Sequence, residues 1–595
     1  MKQDITSRLE AMRKMMTQAG IDAVIIPQTD PHQSEYIASH WQVRRWLSGF
    51  TGSAGSLVVT ATKALLWTDS RYFIQAADQL KDTSIELMKE GLPGTPDILD
   101  YLIANLVQGS TVGIDGLLFS ATSCGKMADT LSRAGLKLRC DFDPIDALWA
   151  DRPALPQAEV IIHNEKYAGE SASSKTVRIL EKADAQGANA VLISALDEIA
   201  WTLNIRSRDV NCNPVATAYL YLAPEGSYLL IDKAKITPEV DKYLADNGVA
   251  TKDYTDIINF TSNLPDTSRV LIDPAKTSIT LTNALGDKAI RGTVPVAMMK
   301  ACKNEVQISG TRAAMERDGV AMVRALMAIE HAMASGEKLT EMSIAELLTD
   351  LRSKQDLYFD NSFETIAGFR SHGAIVHYEA TPATDVTLEP DGLLLIDSGA
   401  QYLDGTTDIT RTITLGNPTP QQRHDFTLVM KGHIALGSMI FPEGTTGHQL
   451  DAIARQYLWK EGLTYLHGTG HGVGHFLNVH EGPQSIRLNH VPTPLTPGMI
   501  TSNEPGLYRE GIHGIRCENL VLTVNAMTTE FGNFYRFETL TLCPFDLRLF
   551  DTTIMTDDEI AWLNDYHAQV RQRLSPLLTD EERKWLETNT QPLKR

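Results

Sequence analysis

The chain has 595 residues, 43% hydrophobic and 22% charged, with 41 Gly and 26 Pro, a make-up that excludes disordered, collagenous and low-complexity classes. Lys and Arg total 54 against 74 Asp and Glu, a net charge of −20, so no basic field is available to hold a nucleic acid or an anionic membrane. Six scattered cysteines form no C-x-x-C pair, and with a charged, helix-like N-terminus and no run near the roughly 18 apolar residues of a membrane span the protein reads as soluble and cytoplasmic.

The first half reads as a repeat. Gly20-Ile-Asp-Ala-Val-Ile-Ile, with Asp30 ten residues after the Gly, matches Gly187-Ala-Asn-Ala-Val-Leu-Ile, with Asp197 ten residues after its own. Each follows a charged helical pattern and ends in an apolar run of strand type. Leu66-Trp-Thr-Asp69 then pairs with Leu230-Ile-Asp232, and Val112-Gly-Ile-Asp115 with Val270-Leu-Ile-Asp273, at offsets of 163 and 158 residues against 167 for the first anchor. Two related mixed α/β domains are expected, residues 1–155 and 156–305, joined at the proline-punctuated Trp149-Ala-Asp-Arg-Pro-Ala-Leu-Pro156. Chance similarity among common apolar strands is the competing account. Neither copy gathers catalytic side chains.

A long helix is expected from Asn304, with Gln307 as its capping partner, to the Ser335-Gly336 stop. Alternating strands and turns follow, which suits an α+β catalytic domain over residues 306–545. In the tail, residues 546–595, Thr556-Asp-Asp-Glu559 and Thr579-Asp-Glu-Glu582 are capping-box patterns that open amphipathic helices, the first carrying Ile560, Leu563, Tyr566, Val570 and Leu574. This extension is expected to pack on the catalytic domain.

Five segments of the second half concentrate carboxylates and histidines. From Leu393 to Ile413, two strand-like runs joined by an Asp404-Gly405 turn would bring Asp397 and Asp408 together from opposite strands. Asp397 ends an apolar run, where an ionised carboxylate is costly unless paired or metal-bound; service in turns is the plainer account of both residues. His467-Gly-Thr-Gly-His471-Gly-Val-Gly-His475-Phe-Leu-Asn-Val-His480 places four of the 16 histidines within fourteen residues, and in an extended chain His467, Thr469, His471, Val473 and His475 share one face. Its Gly-x-Gly-x-Gly spacing lacks the Gly-Lys-Ser/Thr ending of a phosphate loop. The other three are Asn503-Glu504-Pro-Gly-Leu-Tyr, Gly514-Ile-Arg516-Cys-Glu518-Asn and His372-Gly-Ala-Ile-Val-His377-Tyr. A lone Glu at such places is ordinarily a salt-bridge partner, whereas two Asp, two Glu and a His at strand ends can jointly hold two divalent ions.

On these motifs the second half resembles the pita-bread metallopeptidases, and the whole chain is similar to the long, three-domain, cytosolic form of the aminopeptidase P family. Asp197-Glu-Ile-Ala-Trp-Thr-Leu-Asn-Ile-Arg206, Asn213-Pro-Val and Cys543-Pro-Phe-Asp also fit that form. The resemblance implies a multidomain α/β and α+β chain: two related creatinase-type N-terminal domains, a pita-bread catalytic domain and a C-terminal helical extension. It implies Asp397, Asp408, His471, Glu504 and Glu518 as ligands, with Asp397 on one metal, Asp408 and Glu518 bridging, and His471 and Glu504 completing the other. His377, His467 and His480 match the family's outer, proton-handling histidines, and Arg516 matches its site arginine. Proton transfer falls to Glu504 or its neighbourhood. Mn²⁺ is the implied ion, and the mixed ligand set leaves Zn²⁺ and Co²⁺ open.

The implied activity is release of the N-terminal residue from short peptides with proline second, by a hydroxide bridging two ions, in a homodimer. Ligand spacing does not choose the substrate, so a prolidase acting on X-Pro dipeptides is the alternative. A metal-free binding protein of the same fold is the second.

Overall fold

The structure, a computed structural model, describes residues 2–595; Met1 lies outside the described residues. It divides into two compact units, Met1–Asn164 with Glu170–Val296, and Glu165–Gly169 with Ala297–Arg595. Among the described residues no helix is long and apolar enough to cross a membrane.

The first unit contains two six-stranded sheets of one design. From edge to edge, the first runs Ile85–Lys89, Ala64–Thr68, Ser56–Thr60, Ala23–Pro27, Thr111–Gly113, Lys137–Arg139. The second runs Val249–Lys252, Ser227–Ile231, Ala218–Leu222, Ala190–Ile193, Val270–Ile272, Ala289–Arg291. Pairing is parallel, antiparallel, antiparallel, parallel, parallel in both. All three sequence anchors fall on equivalent strands, so the repeat is structural and chance similarity is set aside. Strand Ala23–Pro27 is apolar throughout because both its faces are covered. Val24 and Ile26 pack on Leu9 and Met12 of helix Lys2–Ala19, while Ala23 and Ile25 pack among Leu102 and Leu131 on the opposite side.

In the second unit, helix Glu305–Ser335 opens on the Asn304–Gln307 capping box and stops at Gly336, whose φ of 77° is the left-handed value glycine tolerates. A six-stranded sheet runs Ile440–Pro442, Gly532–Thr539, Asn519–Thr529, Ile500–Asn503, Gly470–Gly472, Glu481–Ile486. A three-stranded sheet runs Ile366–Phe369, Leu393–Ser398, Ile409–Thr414, and Gly506–Arg509 pairs with His513–Arg516 in a separate hairpin. The hairpin expected around Asp404-Gly405 is present but divided. Its base belongs to the three-stranded sheet, whereas its tip, Ala400–Tyr402 and Gly405–Thr406, joins Tyr358–Asn361. The break falls at Gly399, where any Cβ would collide with the Thr407 carbonyl.

Both C-terminal helices, Asp557–Leu574 and Asp580–Asn589, carry their capping boxes. Leu563, Val570, Leu574 and Leu586 share a core with Phe426 and Val429 of helix Pro420–Gly437, so the extension packs on the catalytic unit as its apolar face requires. Buried Arg411 adds a polar tie. Its guanidinium lies 3.9 Å over Phe545 and donates to the carbonyls of Cys543 and Pro544 and to the Tyr566 hydroxyl.

Candidate metal centre

Four strand ends and the centre of one short strand assemble the site. Asp397 lies opposite Thr410 near the end of Leu393–Ser398, and Asp408 immediately precedes Ile409–Thr414. His471 is the middle residue of Gly470–Gly472, Glu504 follows Ile500–Asn503, and Glu518 precedes Asn519–Thr529. One ligand atom each from Asp408, His471 and Glu518 lie within 4.8 Å of one another. His471 Nε2 stands 3.4 Å from both Asp408 Oδ2 and Glu504 Oε1. Arg516 Nη2 donates to Asp397 Oδ2 at 2.5 Å, leaving Asp397 Oδ1 buried without a hydrogen-bond partner among the described residues.

So much negative charge in a low-dielectric interior demands protons or cations. Burial pushes the carboxyl pKa values of Asp397, Glu504 and Glu518 up, and repulsion from Asp408 adds to each, against relief from Arg516 at Asp397 and from His471 and Arg516 at Glu504. Burial works against charge on His471, yet its contact with Asp408 and the charges of Glu504 and Asp408 raise its pKa to about 9. His471 Nδ1 donates to the Gly472 carbonyl at 2.9 Å, which aims Nε2 at the carboxylates, where it holds a proton without a metal and would offer its lone pair to one. An orphan carboxylate oxygen, crowded carboxylates and one correctly oriented imidazole fit hard or borderline divalent cations.

A hydrogen-bond chain leads outward. Arg516 Nη1 donates to the Tyr508 hydroxyl at 2.8 Å, and that hydroxyl lies 2.8 Å from His467 Nε2. His467 Nδ1 donates to the Gly468 carbonyl at 2.7 Å, which leaves Nε2 to face the Tyr508 hydroxyl. His480 stands edge-on to His471 with ring centroids 4.4 Å apart. His377 is half-buried, and its neighbours Ile375 and Tyr378 pack with Leu395 and Tyr508. Tyr508 was not singled out from sequence. The available signal was Gly506 two residues before it, where a Cβ would crowd the Tyr508 hydroxyl.

The reading of residues 467–475 as one extended face is corrected. Only Gly470–Gly472 is strand; Gly474 N–H turns back to the Asn478 carbonyl and Phe476 has φ of 50°. His475 is buried away from the carboxylates, 3.1 Å from the Tyr167 carbonyl and 3.4 Å from Thr311 of the long helix. Thr469 is likewise internal, bonded to Tyr465 and Asp451 at 2.5 Å each.

Four family descriptions match consecutive stretches: the Creatinase/Prolidase N-terminal domain over residues 8–145 and again over 151–307, metallopeptidase family M24 over 309–525, and the C-terminal region of peptidase M24 over 533–593. Aminopeptidase P2 of Arabidopsis thaliana is 39% identical, over 99% of this chain and 89% of its own length. The chain belongs to metallopeptidase family M24. A probable Xaa-Pro aminopeptidase P of Aspergillus fumigatus is 40% identical to this M24 chain, over 99% of it and 93% of its own length. The crystal structure of an X-prolyl aminopeptidase from Caenorhabditis elegans, described as a cytosolic enzyme with a di-nuclear active site, matches at 35% identity with a TM-score of 0.96, over 99% of this chain and 100% of that one. The architecture is therefore two creatinase-type N-terminal domains, a pita-bread M24 catalytic domain and a C-terminal helical extension.

Proposed function

We propose that this M24 chain is an X-Pro aminopeptidase, a metal-dependent exopeptidase that releases the N-terminal residue of short peptides with proline at the second position. The observation that carries the reading is an end-to-end match, through both N-terminal domains, to a protein described as an X-prolyl aminopeptidase.

Asp397, Asp408, His471, Glu504 and Glu518 would hold two divalent ions, with Asp408 and Glu518 shared between them and Mn²⁺ as the resident metal. When bound, such ions supply Lewis acidity and bring the pKa of water toward neutrality. The remaining work falls to the chain. Glu504 takes the proton of the attacking water and carries it to the leaving nitrogen. A bond to proline is difficult for general peptidases, since its tertiary amide has no N–H and its ring fixes φ. His377 and His480 hydrogen-bond at the scissile carbonyl and the leaving side. His467, held by Tyr508, completes the line to Arg516 and so to Asp397.

The same proposal includes a cytoplasmic location, a homodimer and domain boundaries at residues 155, 305 and 545; the ends of the family matches support boundaries near the first two, whereas the C-terminal match opens earlier than the third, at residue 533. Its test is amino-acid release from X-Pro-Y tripeptides, X-Pro dipeptides and X-Ala-Y controls, using chelator-stripped protein before and after Mn²⁺ is restored. Metal-dependent release from X-Pro-Y alone is expected. Cleavage of dipeptides only would replace the reading with a prolidase, and no cleavage with two ions bound by elemental analysis would overturn it.

A further inference from the structure

His377 belongs to no regular element. It sits in the segment that leaves strand Ile366–Phe369, makes a short 3-10 turn at Arg370–Ala374 and continues irregularly to Tyr378. Both ends of this segment converge on one carboxylate. Glu341, the first residue of helix Glu341–Ser353, is fully buried and accepts from Phe369 N–H at 2.7 Å and from the Tyr378 hydroxyl at 2.7 Å. His372 Nδ1 lies 2.9 and 3.0 Å from its two oxygens, so that nitrogen carries the proton. Donors thus come from before and after His377, and all three meet the same side chain.

Packing does not require a carboxylate there. The helix is already joined to the sheet by Ile344 and Leu348 against Ala367 and Phe369, and its start is held by the Thr340–Ser343 capping box and by Leu388 N–H to the Leu339 carbonyl at 2.8 Å. An apolar side chain would fill a buried site with less desolvation cost. What three directional bonds decide is the path of the loop. Its other side leaves no slack: Gly373 packs backbone to backbone on Gly514, where a Cβ would collide with the Gly373 carbonyl. Gly514 lies in His513–Arg516, the strand that ends in the arginine bonded to Asp397.

We propose that Glu341 is a positioning residue for His377, its carboxylate tying Phe369, His372 and Tyr378 so that the loop carrying that imidazole is held at one place against the hairpin of Gly506–Arg509 and His513–Arg516. The inference rests on the catalytic reading of His377. A displacement of about 1 Å at a reacting group costs on the order of 100-fold in rate, so loosening the loop should act on turnover much more than on binding.

The test uses full-length, Mn²⁺-loaded protein carrying Glu341→Gln or Tyr378→Phe, each alone and combined with His377→Ala. Glutamine keeps the size of Glu341 but sets an amide N–H₂ against the loop's donors; phenylalanine keeps the Tyr378 ring and deletes one bond. Glu341→Gln is expected to lower kcat by roughly 10- to 100-fold with KM within about threefold and metal content unchanged. Tyr378→Phe should change in the same direction by less. In the His377→Ala background both should have almost no further effect on kcat, because coupled residues are non-additive.

Equal losses with and without His377 would overturn the inference, as would wild-type kcat in both single variants. Should Glu341→Gln fail to fold, Tyr378→Phe and its cycle with His377→Ala decide. If His377→Ala itself keeps full turnover, the catalytic reading of His377 falls and takes this inference with it. Loss of activity in His377→Ala beside inert Glu341→Gln and Tyr378→Phe would sink the inference alone.

Discussion

Arg516 takes one oxygen of Asp397 at 2.5 Å and leaves the other buried without a hydrogen-bond partner among the described residues. The same guanidinium donates to the Tyr508 hydroxyl at 2.8 Å and to Thr410 Oγ1 at 3.2 Å. Arg516→Lys keeps the charge but cannot reproduce three directional bonds. It is therefore expected to weaken metal binding by about 10- to 100-fold, the usual consequence of losing a ligand's orienting partner. Calorimetric titration of Mn²⁺ into chelator-stripped protein measures this, and an unchanged affinity would remove Arg516 from that role.

Asp408→Asn should separate stability from function. Asp408 raises the carboxyl pKa values of Asp397, Glu504 and Glu518, so removing its charge relieves repulsion in the metal-free chain. The thermal midpoint of chelated protein is expected to stay level or rise. The stabilisation gained on adding Mn²⁺, about 2.7 kcal/mol at a hundred times Kd for an intact site, should shrink, and turnover should be lost. A variant with wild-type turnover and wild-type metal-induced stabilisation would refute the assigned cage.

Gly514→Ala tests the backbone contact between the arginine strand and the His377 loop. The added methyl meets the Gly373 carbonyl and, just beyond it, Ala374, neither of which is a flexible side-chain end. A destabilisation of about 1–3 kcal/mol is expected from overpacking, together with a fall in kcat as the loop shifts. Denaturant unfolding and steady-state kinetics read the two effects, and the contact is dispensable if neither changes.

Acid stability should report two buried histidines that are not among the proposed metal ligands. Burial, and after it the charge of Arg411, lowers the pKa values of His433 and His567 to about 3, and His567 Nε2 accepts the Phe545 N–H at 3.0 Å. An unfolded histidine titrates near 6.5. Between those values the unfolded chain binds a proton that the folded chain refuses, so stability falls as pH falls, by up to about 1.4 kcal/mol per pH unit for each ring. Calorimetry of the catalytic unit's transition from pH 6.5 to 4 should show this slope, reduced in His567→Gln, which keeps an acceptor and cannot be protonated. An identical slope in that variant would exclude His567 as a source.

Local pattern was enough for much of this protein. Helix caps at Asn304, Thr556 and Thr579, the doubled strand signature of the first half, and the placing of Asp397, Asp408, Glu504 and Glu518 at strand ends were all legible, because capping, periodicity and strand termini are written within a few neighbouring residues. The divided hairpin at Gly399, the turning away of His475, the Tyr508 bridge and the grip of Glu341 on residues 28 to 37 positions away were not. Each depends on how close one backbone comes to another, as at Gly373 and Gly514 or Gly399 and Thr407. Such approaches are settled only when sheets, hairpin and helices pack together, since hydrogen-bond direction and steric exclusion act across space and leave little trace in the spacing of residues along the chain.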